Sequence, residues 1–484
     1  MGTPTPTDRY HSLDALRAAM MLAVVVLHSA VLFSSVPAGQ MVFRFADPDG
    51  GPEFFWAAVL LQSVSMPAFF LTAGFFVGML VAKRGPRAML AHRLRRITLP
   101  FLVFWPVLYG LTMAGIMFGC TVAPEIAVPR ADDAGAVLRH VGTATATGTP
   151  FPDALTRQWP RPDDTLIRLG TLDGTEAGPT VWGMRGPGAN PAQAAWAAVR
   201  FVPVGIAVFP RAANYHLIHL WFLWVLTLLV LAAATLTPLA ARVPTAWLGR
   251  HLDSFAFPLL AAIPLAGAFA WHHFPILPPP PKLGVPIPTV LAYGMFFGTG
   301  ALMWRHRDRL PAVGRRWPVH LLMGVATWSA ACVLTPMADW ANASPGPDAD
   351  VARVGMCFCA AVGHWQLVWA CVGAFNRYAP GEFRCIRYVS DASYWVYLVH
   401  LPIVLWVEAA LLPWPVGRYV KFPIVLACGV GLPLLIYQTL VRGRIVGRFL
   451  NGCPSPFSAD PHDGRDCSKR PKTPISPGLS GRIL

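Results

Sequence analysis

Long, nearly uninterrupted apolar blocks alternate along the chain with short polar connections rich in arginine. A helix needs about 20 mostly apolar residues to cross the hydrocarbon core of a bilayer. Ten blocks reach or approach that length: Leu13–Leu32, Phe54–Val81, Ile97–Gly119, Tyr215–Leu239, Phe255–Trp271, Ile287–Trp304, Pro318–Pro336, Val354–Phe375, Ala392–Leu412 and Phe422–Val441. The pattern therefore predicts an all-α polytopic membrane protein with about ten transmembrane helices.

Composition supports a membrane protein and excludes a soluble one. Hydrophobic residues make up 55% of the 484 residues, and charged residues only 13%, about half the share found in soluble domains. The formal net charge of +15 would suggest nucleic acid as a partner of a soluble chain. Here the basic residues lie between apolar blocks, as they do in cytoplasmic membrane loops, so we expect membrane lipids and no nucleic acid as partners.

The distribution of arginine and lysine predicts the orientation. Every second connection is strongly basic, beginning with the one that holds Arg93 and Arg96, while the intervening connections carry few positive charges. The positive-inside rule then predicts that both termini lie in the cytoplasm. We expect the protein in the cytoplasmic (inner) membrane. Residues 1–450 form one ten-helix domain in this interpretation, residues 120–214 an extracytoplasmic insertion with a short interfacial helix at Ala194–Val202, and residues 451–484 a disordered cytoplasmic tail.

Two polar residues share one face of the first predicted span. Arg17 and His28 are eleven positions apart, which is three helical turns plus about 20°, and about 16 Å along the axis. Ionisable groups at membrane depth are costly and are usually functional, and imidazole is suited to proton transfer near neutral pH. The alternative is structural: Arg17 reaches to the interface, and His28 bonds a neighbouring helix.

Arg93 and Arg96 lie at the cytoplasmic entrance to the third predicted span, three positions apart. Residues with that spacing share a helix face, and two guanidinium groups on one face suit a phosphate-rich ligand. The alternative is that both residues only set the membrane topology.

Further polar side chains occur in the ninth and fourth spans. Tyr394, Tyr397 and His400 follow one another at intervals of three and form one inward stripe. His216 and His219 share a face at the outer end of the fourth span. A core hydrogen-bond network and interfacial anchoring are the alternatives. No pattern predicts a metal site.

Several of these segments together resemble the membrane acyltransferase type 3 family. Arg17, ten residues and His28 resemble its Arg–ten residues–His signature, Met66–Phe75 its second-helix motif, Arg93-Leu-Arg-Arg96 its Arg-x-x-Arg motif, and the stretch from Tyr394 to His400 a motif near its end. The segment His219–Leu223 is similar to one branch, the glucans biosynthesis protein C group, which is linked to succinylation of periplasmic glucans.

The resemblance implies transfer of an acyl group, succinyl or acetyl, from cytoplasmic acyl-CoA to a hydroxyl of an extracytoplasmic glycan such as periplasmic glucan. Succinyl-CoA or acetyl-CoA is then a co-substrate, and no cofactor is bound permanently. His28 and Arg17 are the implied catalytic residues, and Arg93 and Arg96 bind the donor. His219, Tyr394 and His400 are candidates for the acceptor pocket.

A transporter or flippase for a glycan, lipid or small acid is the alternative function. Polar groups within the membrane and interrupted helices occur in such proteins. That alternative does not account for the joint occurrence of Arg17, His28, Arg93 and Arg96.

Overall fold

The structure is a computed structural model that describes residues 10–34, 43, 45–123, 190–212, 217–240, 242–272, 276–277, 279–280, 282–313, 315–337 and 347–451. These ranges form fourteen α-helices: α1 His11–Leu32, α2 Pro52–Arg93, α3 Leu99–Val122, α4 Pro191–Ala212, α5 Trp221–Ala240, α6 Ala246–His251, α7 Ala256–His272, α8 Ile287–Arg305, α9 Leu310–Val313, α10 Trp317–Met337, α11 Pro347–Tyr378, α12 Arg384–Leu411, α13 Arg418–Ile436 and α14 Ile445–Asn451. No strand occurs within these ranges. The protein is an all-α polytopic membrane protein, as predicted.

Every apolar block predicted from the sequence lies wholly or mostly in a helix. Within the described ranges, eight helical segments are long and apolar enough to cross a membrane. One of them, Pro52–Val122, has 71 residues and would be about 105 Å long if it were straight, which is more than one crossing requires. Gly85 breaks it with a φ of +78°, a conformation that glycine adopts without strain. The segment therefore contains the second and third spans, joined by a short connection.

The packing of α2 against α8 is consistent with a membrane crossing by the short helix α7. A Cβ on Gly74 would lie 1.8 Å from the carbonyl oxygen of Phe297, and one on Gly78 would lie 3.2 Å from the Cα of Ala301. Because the contact moves to higher residue numbers on both helices at once, from Gly74 and Phe297 to Gly78 and Ala301, α2 and α8 run parallel. Two parallel spans have an odd number of crossings between them, and α3, α5 and α7 supply three. With α7 included and Pro52–Val122 counted as two, the described ranges hold ten candidate spans.

The predicted insertion at residues 120–214 is described only at its two ends. The expected short helix at Ala194–Val202 is longer, because α4 continues through Pro203 to Ala212. It lies against α3 where Gly205 meets Gly110, with the built Cβ of Gly205 2.9 Å from the Cα of Gly110. This close contact supports a helix that Pro203 would otherwise weaken by removing one hydrogen-bond donor. The predicted tail at 451–484 lies outside the described residues except for Asn451.

Helix α1 is central in the bundle and positions the polar residues that follow. It packs against α2, α11, α12 and α13, and its apolar side chains, including Leu16, Val24 and Val25, are fully buried. A helix surrounded by other helices presents its polar groups to protein and not to lipid. Arg17 and His28 therefore face neighbouring helices.

Candidate active site

Helices α1 and α12 run side by side in the same direction. Arg17 on α1 bonds Ser390 on α12, and His28 bonds His400. The two contacts are separated by eleven residues on α1 and by ten on α12, so the helices are parallel and in register. We call the line of contact between α1 and α12, from Arg17 and Ser390 to His28 and His400, the seam. It holds a guanidinium group at one end and a pair of imidazoles at the other, about 16 Å apart along the helix axis.

The guanidinium end of the seam is anchored by Arg17. Its Nη2 donates to the Ser390 hydroxyl at 2.7 Å and lies 3.2 Å from the carboxylate of Asp14, one turn earlier. The Nε of Arg17 is buried and has no hydrogen-bond partner among the described residues. Arg17 is thus fixed in place while one of its donors stays free.

Arg93 and Arg96 extend this positive region from the next helix. Arg93 ends α2, and Arg96 lies in the π-helical turn Leu94–Thr98 that joins α2 to α3. The charges of Arg17 and Arg96 both act on Arg93, so the structure brings all three arginines into one cluster. Within the described ranges neither Arg93 nor Arg96 forms an ion pair, and the Nε of Arg93 is buried without a partner. Arginines gathered in this way repel one another unless an anion binds between them.

Three histidines meet at the other end of the seam. The Nδ1 atom of His28 lies 2.9 Å from the Nε2 atom of His400, and the ring of His219 lies 6.3 Å from that of His28 and 5.2 Å from that of His400, centroid to centroid. His400 and His219 are buried, whereas His28 keeps part of its surface accessible. His28 is therefore the least buried member of this histidine cluster.

A strained turn holds His219 in the cluster. Ile218 has a φ of +52°, which is unusual for a β-branched residue and costs about 1–3 kcal/mol. Two contacts with α12 support this turn: the Nε2 of His219 lies 3.0 Å from the carbonyl oxygen of Leu398, and the Tyr397 hydroxyl donates to the carbonyl oxygen of His219. The Nδ1 of His219 is buried and has no partner among the described residues.

Tyr394 occupies a different place from the histidines of the predicted stripe. Its hydroxyl donates to the carbonyl oxygen of Ile97 at 3.4 Å, within the π turn that precedes α3. Tyr394 therefore lies between the arginine and histidine ends of the seam, whereas His219 and His400 lie together. His216, the fourth-span histidine predicted to share a face with His219, lies outside the described residues.

A buried ion pair lies beyond the histidine end of the bundle. Lys421 Nζ lies 2.8 Å from a carboxylate oxygen of Asp47, and both side chains are almost completely buried. Glu408, two turns beyond His400 on α12, is also fully buried and close to Asp47. The pair ties the segment after α1 to α13. Since it is enclosed, it supports the site without opening onto it.

Several of these residues could not be identified from the sequence alone. Ser390, Asp47 and Lys421 act through partners more than 370 positions away, and a single sequence carries no record of such contacts. The interval of ten between Ser390 and His400 is one less than the interval of eleven between Arg17 and His28. That near-equal spacing is the one signal that could have indicated the pairing.

The two ends of the seam offer complementary chemistry. Unpaired guanidinium groups can bind phosphate or carboxylate oxygens, and an accessible imidazole can accept a proton from a hydroxyl. Together they suit a long ligand that is anionic at one end and reactive at the other.

A comparison with protein families indicates the class of reaction. The model of the family described as Acyltransferase domain, Acyl_transf_3, matches residues 10–438, which include all of the residues discussed above. No curated protein and no solved structure matches the chain.

Proposed function

Because the chain belongs to the acyltransferase family whose model it matches over nearly its whole length, and is a multi-pass membrane acyltransferase, we propose that it acylates an extracytoplasmic glycan with an acyl group from cytoplasmic acyl-CoA. The observation that carries the proposal is the seam between α1 and α12, which places Arg17, a member of the arginine cluster, about 16 Å from His28. The family match favours this reaction over transport, the alternative function.

The arginine cluster is the proposed donor site. Arg93 and Arg96 would hold the phosphates of the coenzyme at the cytoplasmic end, and the free Nε of Arg17 points to a further contact there. Charge-assisted hydrogen bonds to phosphate are strong and geometrically selective. The pantetheine arm would then extend along the seam, which places the thioester at the histidine cluster.

His28 is the proposed general base. It would take the proton of the acceptor hydroxyl while the hydroxyl oxygen attacks the thioester carbonyl, and the carbon–sulfur bond would break as the new carbon–oxygen bond forms. The protonated His28 would return the proton to the departing thiolate, so the products are an ester and free coenzyme A. No proton is gained or lost overall.

The acceptor side is proposed to be lined by His219 and Tyr394. The unpartnered Nδ1 of His219 could accept a hydrogen bond from a second hydroxyl of the acceptor, which suits a sugar with several hydroxyl groups. We also propose the finer assignment from the sequence: a succinyl or acetyl donor, a periplasmic glucan acceptor and the inner membrane. His400 has both ring nitrogens in hydrogen bonds, so its role differs from direct contact with the acceptor.

Acyl transfer by purified protein tests the proposal. Detergent-purified parent and His28→Ala proteins would be incubated with glucan oligosaccharides and either succinyl-CoA or acetyl-CoA. Mass spectrometry would then identify the acylated products. We expect the parent to acylate the glycan with one of the two donors. His28→Ala should be about 10²–10⁴-fold slower while still binding acyl-CoA. A folded His28→Ala protein that keeps more than about a tenth of the rate would refute the role of His28. If the parent protein transfers no acyl group from either acyl-CoA, the proposal that acyl-CoA is the donor is refuted.

A further inference from the structure

The backbone of α12 fixes the proton positions in the histidine pair. The Nδ1 atom of His400 lies 2.8 Å from the carbonyl oxygen of Tyr397 and 3.1 Å from that of Val396. A carbonyl oxygen can only accept a hydrogen bond, so His400 carries its proton on Nδ1. In the neutral ring the other nitrogen, Nε2, then has a lone pair and must accept.

The proton positions of His400 determine those of His28. The Nδ1 atom of His28 lies 2.9 Å from the His400 Nε2, and because that atom accepts, Nδ1 of His28 is the donor. The neutral ring of His28 therefore keeps its lone pair on Nε2. This nitrogen has no part in the bond to His400, and it belongs to the one histidine of the cluster with accessible surface.

His219 does not compete for this arrangement. Its Nε2 lies 3.0 Å from the carbonyl oxygen of Leu398, so that nitrogen carries the proton of the neutral ring and donates to the backbone. With its only proton engaged there, His219 has none to donate to His400. The acceptor atom of His400 is left to His28.

We infer that His400 is a positioning residue that holds His28 in the tautomer in which Nε2 is the base. The inference rests on the proposed acyl transfer, because it assigns His400 to the same site. His400 would also stabilise the imidazolium formed when His28 takes the proton of the hydroxyl, through the hydrogen bond from Nδ1. The proton still passes from the acceptor oxygen to His28 Nε2 and on to the thiolate, and His400 returns unchanged.

Three variants separate this role from simple packing. His400→Leu removes the acceptor but fills the space, and His400→Gln restores an oxygen that can accept from His28. His364→Leu is the matched control, because His364 is a buried helical histidine that bonds the carbonyl of Ala360, four residues earlier. Outer-shell partners of reactive groups typically contribute 10–100-fold to activity. We expect His400→Leu to lower kcat by about that factor with unchanged acyl-CoA affinity, His400→Gln to recover much of it, and His364→Leu to have little effect.

A spectroscopic measurement tests the tautomer without any activity. Parent protein labelled with ¹⁵N-histidine would be compared with His28→Gln to identify the His28 resonances. We expect a neutral ring protonated on Nδ1 in the parent, and a loss of that preference in His400→Leu. A parent His28 protonated on Nε2 would overturn the inference, as would a folded His400→Leu protein with unchanged tautomer and kcat. Since the tautomer is read even if no acyl transfer is found, failure of the proposed function and failure of this inference are distinguishable.

Discussion

At the scale of single residues, the arginines at the junction of α2 and the π turn have different surroundings. They are Arg93, Arg95 and Arg96. Arg93 and Arg96 are partly buried without an ion pair among the described residues, whereas Arg95, between them, is exposed. A contact to a charged ligand is worth about 1.5–3 kcal/mol. We therefore expect Arg93→Gln to weaken acyl-CoA binding by about 10-fold or more, and Arg95→Gln to leave it nearly unchanged.

Titration calorimetry with acyl-CoA on detergent-purified protein would measure the three affinities. Arg95→Gln is a matched control, because it removes the same charge from the same turn. If both variants bind acyl-CoA as well as the parent, Arg93 contributes to topology and packing alone.

Sequence reasoning at this scale identifies residues but not their partners. The shared face of Arg17 and His28 follows from helical geometry, and the structure places both on the side that meets α12. The partner of each residue depends on which helix packs beside α1. Apolar helices of similar composition do not reveal which of them that is. The family resemblance suggested His400 for the acceptor pocket but could not name its partner, which in the structure is His28.

At the scale of helices, the crossing of α2 and α8 depends on glycine. A Cβ on Gly300 would lie 1.8 Å from the carbonyl oxygen of Leu71, whereas Gly298, half a turn away, has nothing within 4 Å of its built Cβ. Small residues at membrane helix contacts allow backbones to approach this closely. We expect Gly300→Ala to separate the helices and lower the melting temperature of the purified protein, and Gly298→Ala to leave it unchanged.

Fluorescence-detected size exclusion of heated samples would compare the two variants in one detergent. They carry the same substitution on the same helix, so any difference in helix propensity cancels. Equal melting temperatures would mean that the close approach of α2 and α8 contributes little to stability.

Hydrophobic pattern predicts the helices well and their irregularities poorly. All ten apolar blocks fall wholly or mostly in helices, since helical hydrogen bonding is the only solution for a single segment in lipid. The π turn at Leu94–Thr98 and the break at Gly85 leave no mark on hydropathy. Helix α4 continues past Pro203 through its contact with α3.

At the scale of the whole molecule, the parallel pairing of α1 with α12 restricts the topology. The two helices are the first and ninth spans, and seven crossings lie between them when α7 is counted. An odd number of intervening crossings is what their parallel direction requires. An even number of spans would place the two ends of the described chain, residues 10 and 451, on one side of the membrane.

The side on which both termini lie is predicted from loop charge to be the cytoplasm. Single cysteines introduced by Thr149→Cys and Ser458→Cys in a cysteine-free background would test it with a membrane-impermeant maleimide on intact cells and on inverted vesicles. We expect position 149 to be labelled in intact cells and position 458 only in inverted vesicles, because the strongly basic connections remain inside. The arginine cluster would then face cytoplasmic acyl-CoA, as donor binding requires. Labelling of position 149 only in inverted vesicles would reverse the orientation, and the arginine cluster would open on the side where no acyl-CoA is expected.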